Sequence, residues 1–341
     1  MNAPTLAPFP PAVADRIREG AFVLLDKPRG PTSHQVTAWA REILGVPTAG
    51  HAGTLDPNVS GLLWIGFGPA LKILPLLLEF PKRYVGVVRL HGPVAPRDLE
   101  RVVGEFIGPI FQTPPVRSAV RRARRVRTIH RLAVLERDQD TVLIEVVGDS
   151  GTYVRTLAVD IGEALGVDAH LEELRRTGTG PFVEAGSVTL PKLADAVHAA
   201  RAGAPELLLT MLHPIEEVTR EFPSVIVKDS AASAIAHGSD LAAGGIVSAP
   251  RPFGKGRRLV LLSRTGALLA TGVALVDREE ITRRRAGWVV DAERVFVTPA
   301  SYPPTWGRRG PKPRSTASAG PRDPVDPARA AERDPSGTRD P

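Results

Sequence analysis

Cysteine is absent from this chain of 341 residues, which excludes disulfides, cysteine-bound zinc and thiol nucleophiles. We therefore expect the protein in a reducing cytoplasm. Long apolar runs are missing too, since the longest, residues 71–78, contains Lys72 and Pro75 and is too short to span a bilayer. The N-terminal segment lacks the basic region and apolar core of a signal peptide, so we expect no membrane association.

Acidic residues are outnumbered by basic ones, 37 to 44, which gives a formal net charge of +7. This balance favours a polyanionic partner. Most of the basic residues are Arg, whose planar guanidinium suits bidentate phosphate contacts and stacking on bases. An arginine-rich genome would produce the same composition, so charge alone leaves the partner open.

The chain exceeds the usual size of one hydrophobic core, so we predict two domains. Strand-like and helix-like segments alternate until the composition changes at 221–223. Large apolar residues nearly vanish after 303, which predicts disorder. The predicted organisation is an irregular arm over 1–20, an α+β domain over 21–220, a small β-rich domain over 222–300 and a disordered tail over 303–341.

Periodicity and capping residues predict the main elements. Residues 33–44 have helical spacing, with Thr32 or Ser33 as the N-cap and Gly45 as the stop. The other predictions for the first domain are strands over 22–25, 84–91 and 142–147 and a helix over 155–165. For the second domain they are a strand over 224–227, a helix over 230–236 and three further strands that end near Val276.

The most informative segment is the octapeptide over 50–57, Gly-His-Ala-Gly-Thr-Leu-Asp-Pro. Gly53 permits backbone conformations that other residues avoid, and Pro57 biases Asp56 toward an extended one. We therefore expect the Asp56 carboxylate to project from a loop, with Leu55 anchored beneath it. An Asp before Pro is more commonly a turn or helix cap, and the octapeptide alone leaves that alternative open.

A series of ordered blocks resembles the TruB-type pseudouridine synthases, which isomerise uridine in RNA. The blocks are residues 24–33, 50–57, 82–86, 151–157 with 160–162, and 173–177. The resemblance implies that Asp56 is the catalytic residue, that Tyr84 packs against the target base and that Arg155 pairs with Asp56. Without it, a surface position at a helix start is an equal alternative for Arg155.

The chemistry explains this choice of residues. The isomerisation breaks the glycosidic bond, turns the base and rejoins it through carbon without redox change or hydrolysis, so we expect no cofactor and no metal. A carboxylate at the anomeric carbon stabilises an oxocarbenium-like species, and the sequence leaves open whether it acts as nucleophile or base. A cation beside it, such as Arg155, keeps a partly buried carboxylate ionised.

Further residues are predicted to contact the substrate. Tyr153 and Leu174 would complete an apolar wall beside Tyr84 for an extruded base. His51 resembles the residue that helps to hold the RNA open beside the catalytic loop, although a turn histidine bonded to the local backbone is an open alternative. Lys27 is expected to support the loop through charge and hydrogen bonds.

An arginine-rich stretch over 117–131 contains no acidic residue. Its side chains repel one another, and RNA phosphates relieve that repulsion without reading sequence. The residues predicted to contact RNA are Arg117, Arg121, Arg122, Arg124 and Arg125, together with Lys228 in the second domain.

The second domain resembles a PUA domain, an RNA-binding β-barrel, and an unrelated small β-domain is the alternative. The blocks that carry this resemblance are 227–231, 237–241 and 244–247. With the short 91–111 segment and blocks 291–296 and 302–306, the chain resembles the archaeal dyskerin-type branch. That branch works in box H/ACA ribonucleoproteins, whose guide RNA selects uridines in rRNA, with small Nop-type, Gar-type and L7Ae-type partners. Archaeal members also modify uridine 55 in the T-loop of tRNA without a guide.

The resemblance thus implies an α+β pseudouridine synthase domain, with a mixed, largely antiparallel sheet flanked by helices, followed by a PUA β-barrel. The alternatives are a guide-independent tRNA enzyme and a non-catalytic RNA scaffold of the ribonucleoprotein. The joint presence of Asp56, Tyr84 and Arg155 argues against the scaffold, which would not need all three.

Overall fold

The computed structural model describes residues 8–113, 123–284 and 286–301, and the predicted tail over 303–341 lies outside them. Within these ranges the strands form two sheets, one of 10 strands and one of 6. The first sheet spans residues 21–214 and the second spans 224–295, on either side of the predicted change in composition. No helix in this part of the chain is long and apolar enough to cross a membrane.

The first sheet is mixed and largely antiparallel, as predicted. Its strands are β1 (Ala21–Lys27), β2 (Ala49–Ala52), β3 (Val59–Phe67), β4 (Lys82–Leu90), β5 (Gly108–Gln112), β6 (Arg125–Asp138), β7 (Thr141–Gly148), β8 (Ala169–Thr179), β9 (Phe182–Val183) and β10 (His213–Pro214). They pair in the order β10-β1-β3-β8-β4-β7-β6-β5, with β2 beside β3 and β9 beside β8. The pair β3–β8 is parallel and its neighbours β1–β3 and β4–β8 are antiparallel.

Helices pack on this sheet because their apolar faces are buried against it and so removed from water. They are α1 (Pro11–Glu19), α2 (Ser33–Leu44), α3 (Leu74–Leu77), α4 (Pro96–Glu105), α5 (Val154–Ala164), α6 (Leu190–Arg201), α7 (Glu206–Met211) and α8 (Ile215–Thr219). Helix α2 has the predicted bounds. Thr32 and Gln35 form a capping box at its start, and Gly45 ends it with a left-handed φ of 66°.

The prediction of an irregular arm over 1–20 was wrong, because helix α1 occupies most of its described part. Pro11 lies at the first helical position, where a missing N–H costs nothing and the fixed φ is already helical. Val13 is fully buried in the core, and Ile17 packs against the same cluster. Proline content alone therefore does not indicate an irregular segment here, because burial against distant parts of the chain stabilises this short helix.

The second sheet lies where the small β-rich domain was predicted. Its elements are β11 (Ser224–Val227), α9 (Asp229–Ala236), β12 (Leu241–Ala242), β13 (Ile246–Ser248), β14 (Arg258–Leu262), β15 (Leu268–Ala274), α10 (Arg278–Arg283) and β16 (Trp288–Val295). The strand order is β12-β16-β15-β14-β11-β13. The sequence interpretation ended the strands near Val276 and so missed β16, which is largely polar after its buried pair Val289–Val290.

Three hydrophobic clusters position the functional residues of the first domain. One packs α2 and α6 on one face of β1 and β3, and another packs α4 and α5 on β4 and β7. A third joins the two sheets, since Trp64 and Phe80 share it with Phe222 and Val260. The parallel seam of β3 and β8 requires a glycine at 61, because a Cβ there would lie 2.3 Å from the Arg176 carbonyl oxygen.

Candidate active site

The octapeptide forms strand β2 and the loop that leads into β3. Gly53 has a φ of 69°, in the left-handed region that favours glycine. Leu55 is 4% exposed, whereas the Asp56 side chain is 60% exposed. The loop therefore projects the carboxylate above a buried leucine, as the sequence predicted.

Arg155 pairs with this carboxylate, with its Nη2 donating to Asp56 Oδ2 at 2.6 Å. The buried side chains of Val154 and Leu157 hold the first turn of α5 on the core and leave Arg155 outside it. The contact is a single hydrogen bond. With the two side chains 50% and 60% exposed, the pair is open to solvent in the free protein.

Helix α2 holds the loop through two side chains on one face. Ser33 Oγ donates to the carbonyl oxygen of Leu55 and accepts from its N–H, each at 2.9 Å. One turn later, Thr37 Oγ1 lies 3.1 Å from His51 Nδ1. The sequence interpretation considered Ser33 only as a possible N-cap and gave neither residue a role in the loop, although the four-residue spacing puts both on one helical face.

Two buried cations lie beneath the loop. Lys27 is fully buried, and its Nζ donates to the carbonyl oxygens of Pro28, Pro57 and Val59 at 2.8, 3.3 and 2.8 Å. Desolvation lowers the pKa of Lys27, and the negative charge of Asp56 partly opposes this shift. These contacts match the predicted support of the loop, and the functional role of Lys27 remains a prediction.

Arg176 is the second buried cation and was missed as a functional candidate. It is 1% exposed, and its Nε donates to the Leu62 carbonyl oxygen at 2.7 Å. A Cβ at Gly53 would lie 3.1 Å from its Nη1, so the guanidinium packs directly under the loop. Desolvation lowers the pKa of Arg176, and its interaction with the Tyr84 hydroxyl acts in the opposite direction.

The predicted apolar wall lies on neighbouring elements. Tyr84 on β4 and Leu174 on β8 are half-buried against the same core cluster, and Leu174 pairs in register with Val59 just after the loop. Tyr153 is the residue before α5, where Gln112 holds its backbone from both sides. Gln112 Nε2 donates to the Tyr153 carbonyl oxygen at 3.0 Å, and the Tyr153 N–H donates to Gln112 Oε1 at 2.9 Å. The buried Gln112 thus fixes the start of the helix that carries Arg155.

His51 lies beside the loop and bonds to side chains, in contrast to the alternative of a turn histidine bonded to local backbone. Its Nε2 is 3.2 Å from Thr54 Oγ1, and its ring meets that of His34 edge to face at 4.8 Å. Burial lowers the pKa of His51, with further lowering by His34 and Arg176. The ring also lines a cavity of about 410 Å³ with Arg41 and Leu74.

The predicted RNA contacts are only partly described. Arg117, Arg121 and Arg122 lie outside the described residues. Arg124 is exposed and stacks over the Phe111 ring at 4.4 Å, and Arg125 begins β6 with its side chain exposed. In the second domain, Lys228 is exposed and its Nζ donates to the Gly244 carbonyl oxygen at 2.8 Å. Their contact with RNA remains a prediction.

Comparison with known families matches most of the chain. Residues 41–154 match the N-terminal domain of the TruB family of pseudouridylate synthases, and residues 155–219 match the C-terminal domain of tRNA pseudouridylate synthase B. Residues 223–296 match the PUA domain. Asp56 and Tyr84 fall in the first of these matches, and Arg155 begins the second.

Individual relatives agree with this assignment. A probable tRNA pseudouridine synthase B of Methanothermobacter thermautotrophicus is 44% identical over 83% of this chain and 88% of its own length. A Cbf5-Nop10-Gar1 complex is similar with a TM-score of 0.80 and 38% identity, covering 89% of this chain and 93% of that one.

A further solved structure, an H/ACA ribonucleoprotein bound to a substrate RNA containing 2'-deoxyuridine, gives a TM-score of 0.76 at 37% identity. It covers 90% of this chain and 94% of the matched chain. The projecting Asp56, its arginine partner and these matches together lead to one assignment: the chain belongs to the TruB family of pseudouridine synthases and carries a PUA domain.

Proposed function

We propose that the protein isomerises uridine to pseudouridine in RNA with Asp56 as the catalytic carboxylate. The observation that carries the proposal is the contact between Arg155 Nη2 and Asp56 Oδ2 at 2.6 Å, on a loop that leaves both side chains accessible to RNA. A carboxylate at this point can approach the anomeric carbon as the glycosidic bond breaks. Either covalent attack or proton abstraction uses the same placement.

The surrounding residues take separate roles. Arg155 orients the carboxylate and offsets its charge once the RNA covers the site. Tyr84 offers its ring to an extruded base, with Leu174 and Tyr153 beside it. Lys27 holds the end of the loop through its contacts with the carbonyl oxygens of Pro57 and Val59. The nucleotide itself completes the enclosure of the half-exposed ion pair.

We propose both tRNA and guided rRNA as substrates. The support is the name of one relative, a probable tRNA pseudouridine synthase B, and the solved H/ACA ribonucleoprotein with a substrate RNA. By the same comparison we propose small Nop-type and Gar-type partners, which accompany the similar chain in its complex. An L7Ae-type protein would join through the box H/ACA guide RNA. We also propose a cytoplasmic location, with which the absence of cysteine agrees.

The test is pseudouridine mapping on a tRNA transcript, including its T-loop uridine 55, and on rRNA paired with a guide, with and without partner proteins. Asp56→Asn keeps the side-chain shape and removes the charge. Asp140→Asn is the matched control, because it removes the carboxylate of another exposed ion pair, which Arg89 makes at 2.6 Å. We expect modification by the wild type and by Asp140→Asn, and none by Asp56→Asn.

The outcomes separate the candidate functions. Modification of rRNA only in the presence of guide establishes the guided enzyme, and modification of tRNA by the protein alone establishes the stand-alone activity. If neither RNA is modified under any condition while guide RNA still binds, the catalytic proposal is wrong and the protein is an RNA scaffold.

A further inference from the structure

The contacts of Thr37 determine which nitrogen of His51 carries a proton. Thr37 Oγ1 donates to the carbonyl oxygen of Ser33, one turn earlier in α2, at 2.7 Å. A hydroxyl has a single proton to donate. At its 3.1 Å contact with His51 Nδ1, Thr37 Oγ1 must therefore accept, and Nδ1 must carry the hydrogen.

The hydrogen on Nδ1 determines the protonation of Nε2, the other ring nitrogen of His51. Burial, His34 and Arg176 lower the pKa of His51, so the ring is neutral at pH 7. A neutral imidazole with Nδ1 protonated has a lone pair on Nε2. In the free protein, Nε2 lies 3.2 Å from the hydroxyl of Thr54, which has the proton needed to donate to it.

The two nitrogens face different surroundings. Thr37 is 7% exposed and Ser33 is fully buried, so Nδ1 is held on the inner side of the loop. Thr54 is exposed, and Nε2 lies on that outer side, next to the loop that bears Asp56. The atom that meets an incoming RNA is thus an acceptor. Phosphate oxygens are acceptors too, so they cannot form a hydrogen bond with Nε2.

We propose that Thr37 is a positioning residue that sets the Nδ1–H tautomer of His51, so that Nε2 accepts a hydrogen bond from an N–H or O–H group of a nucleotide beside the target uridine. This inference rests on the proposed function for its RNA substrate. The donor is a base amino or imino group or a ribose 2'-hydroxyl. His51 therefore contributes to the choice of nucleotide and not to general attraction of phosphate.

The tautomer is tested in the free protein by ¹⁵N NMR of histidine-labelled wild type, Thr37→Ser and Thr37→Val. Thr37→Val matches threonine in shape and has no oxygen to accept from Nδ1, whereas Thr37→Ser keeps the hydroxyl. We expect His51 to be protonated on Nδ1 in the wild type and in Thr37→Ser, and to shift toward Nε2 protonation in Thr37→Val. Nε2 protonation in the wild type, or an unchanged tautomer in Thr37→Val, overturns the proposal. This measurement needs no RNA, so it is decided even if the proposed function fails.

The consequence for RNA is tested by steady-state kinetics on the same variants. We expect kcat/KM to fall about tenfold in Thr37→Val, the scale of one hydrogen bond, and to return in Thr37→Ser. Equal kcat/KM in the wild type and Thr37→Val, or equal losses in both variants, contradicts the positioning role.

Modified substrates then identify the donor. Nucleotides next to the target receive a 2'-deoxy sugar or an N-methylated base one at a time. We expect one such change to lower the kcat/KM of the wild type about tenfold and to leave the kcat/KM of Thr37→Val unchanged. If every substitution changes kcat/KM equally in the wild type and in Thr37→Val, His51 accepts no hydrogen bond from a nucleotide and the proposal is wrong.

Discussion

At the scale of single residues, the ion pair of Asp56 and Arg155 has little to do with stability. Both side chains are at least half exposed, and exposed pairs contribute only about 0–1 kcal/mol. The accessible position of the pair agrees better with the proposed role in isomerisation than with a role in stability. Function and stability can be separated by mutation at this site.

Replacement of Arg155 should show that separation. We expect Arg155→Met to lower kcat about 10²–10³-fold, the scale for removing one oriented charged donor. The free energy of unfolding should change by less than about 1 kcal/mol. Pseudouridine formation under saturating RNA and urea denaturation measure the two quantities, with Arg89→Met, at the Asp140 pair, as the control. Equal activity of the Arg155 and Arg89 variants would contradict the role.

The burial of Lys82 leads us to predict that the stability of the protein depends on pH. It is 4% exposed, and desolvation together with the charge of Arg176 lowers its pKa from 10.5 to about 7. Between these two values the unfolded chain binds more protons than the folded one, so stability rises with pH. The unfolding free energy of the wild type relative to Lys82→Met should therefore increase between pH 7 and pH 10, measured by urea titration. A flat or falling difference would contradict this assignment.

At the scale of elements, helix α2 organises the loop that carries Asp56. Its N-terminal capping box fixes where the helix begins, and Ser33 and Thr37 then meet Leu55 and His51 across the chain. A loop that carries a catalytic side chain needs such support, since small displacements of reacting groups are costly. The cap stabilises the helix, whereas the two internal side chains position the loop.

Two substitutions distinguish those contributions. Ser33→Ala removes both contacts to the Leu55 backbone and should lower stability by about 1–3 kcal/mol, because buried polar groups lose their partner. Thr32→Ala removes the cap and should cost about 1 kcal/mol. We expect a large loss of kcat only for Ser33→Ala, measured at a temperature where both variants are folded. Similar kcat values in the two variants would show that the contact with Leu55 does not position the loop.

At the scale of the whole molecule, the second domain is packed on the first. Phe222 is fully buried at the junction, with its ring centroid 5.1 Å from that of Phe80 and the Arg257 guanidinium 5.7 Å from its ring. Glu79 adds ion pairs to Arg257 and Arg258 at 3.1 and 3.4 Å. The PUA domain therefore has a defined position relative to the loop that carries Asp56.

Phe222 should contribute most of that coupling. We expect Phe222→Ala to lower the free energy of unfolding by about 3–5 kcal/mol through the lost contacts and the cavity. Phe222→Leu retains much of the apolar volume and should cost less than about 1.5 kcal/mol. Denaturation followed by tryptophan fluorescence measures both domains when Trp64 or Trp288 is the one tryptophan retained and the other three are replaced by Phe. Unchanged stability of Phe222→Ala at both probes would show that the junction contributes nothing.

Much of this architecture was predictable because its signals are local. The candidate caps at 32 and 33 and the glycine stop predicted the bounds of α2, and the left-handed glycine of the octapeptide predicted a projecting Asp56. Helix α1 was missed because its stabilisation comes from the burial of Val13 by distant segments. Strand β16 was missed because its polar pattern carries little strand signal, and pairing with β15 supplies the stability.

The sequence by itself determined the family, the candidate for the catalytic carboxylate and the elements with strong local caps, since each depends on residues close together in the chain. Only the tertiary structure decided how that carboxylate is supported. Arg176 lies under Gly53, and Gln112 fixes Tyr153 through contacts between residues far apart in sequence. Thr37 sets the proton on His51 because the fold turns α2 back across the loop. Such contacts depend on packing, and no local pattern specifies them.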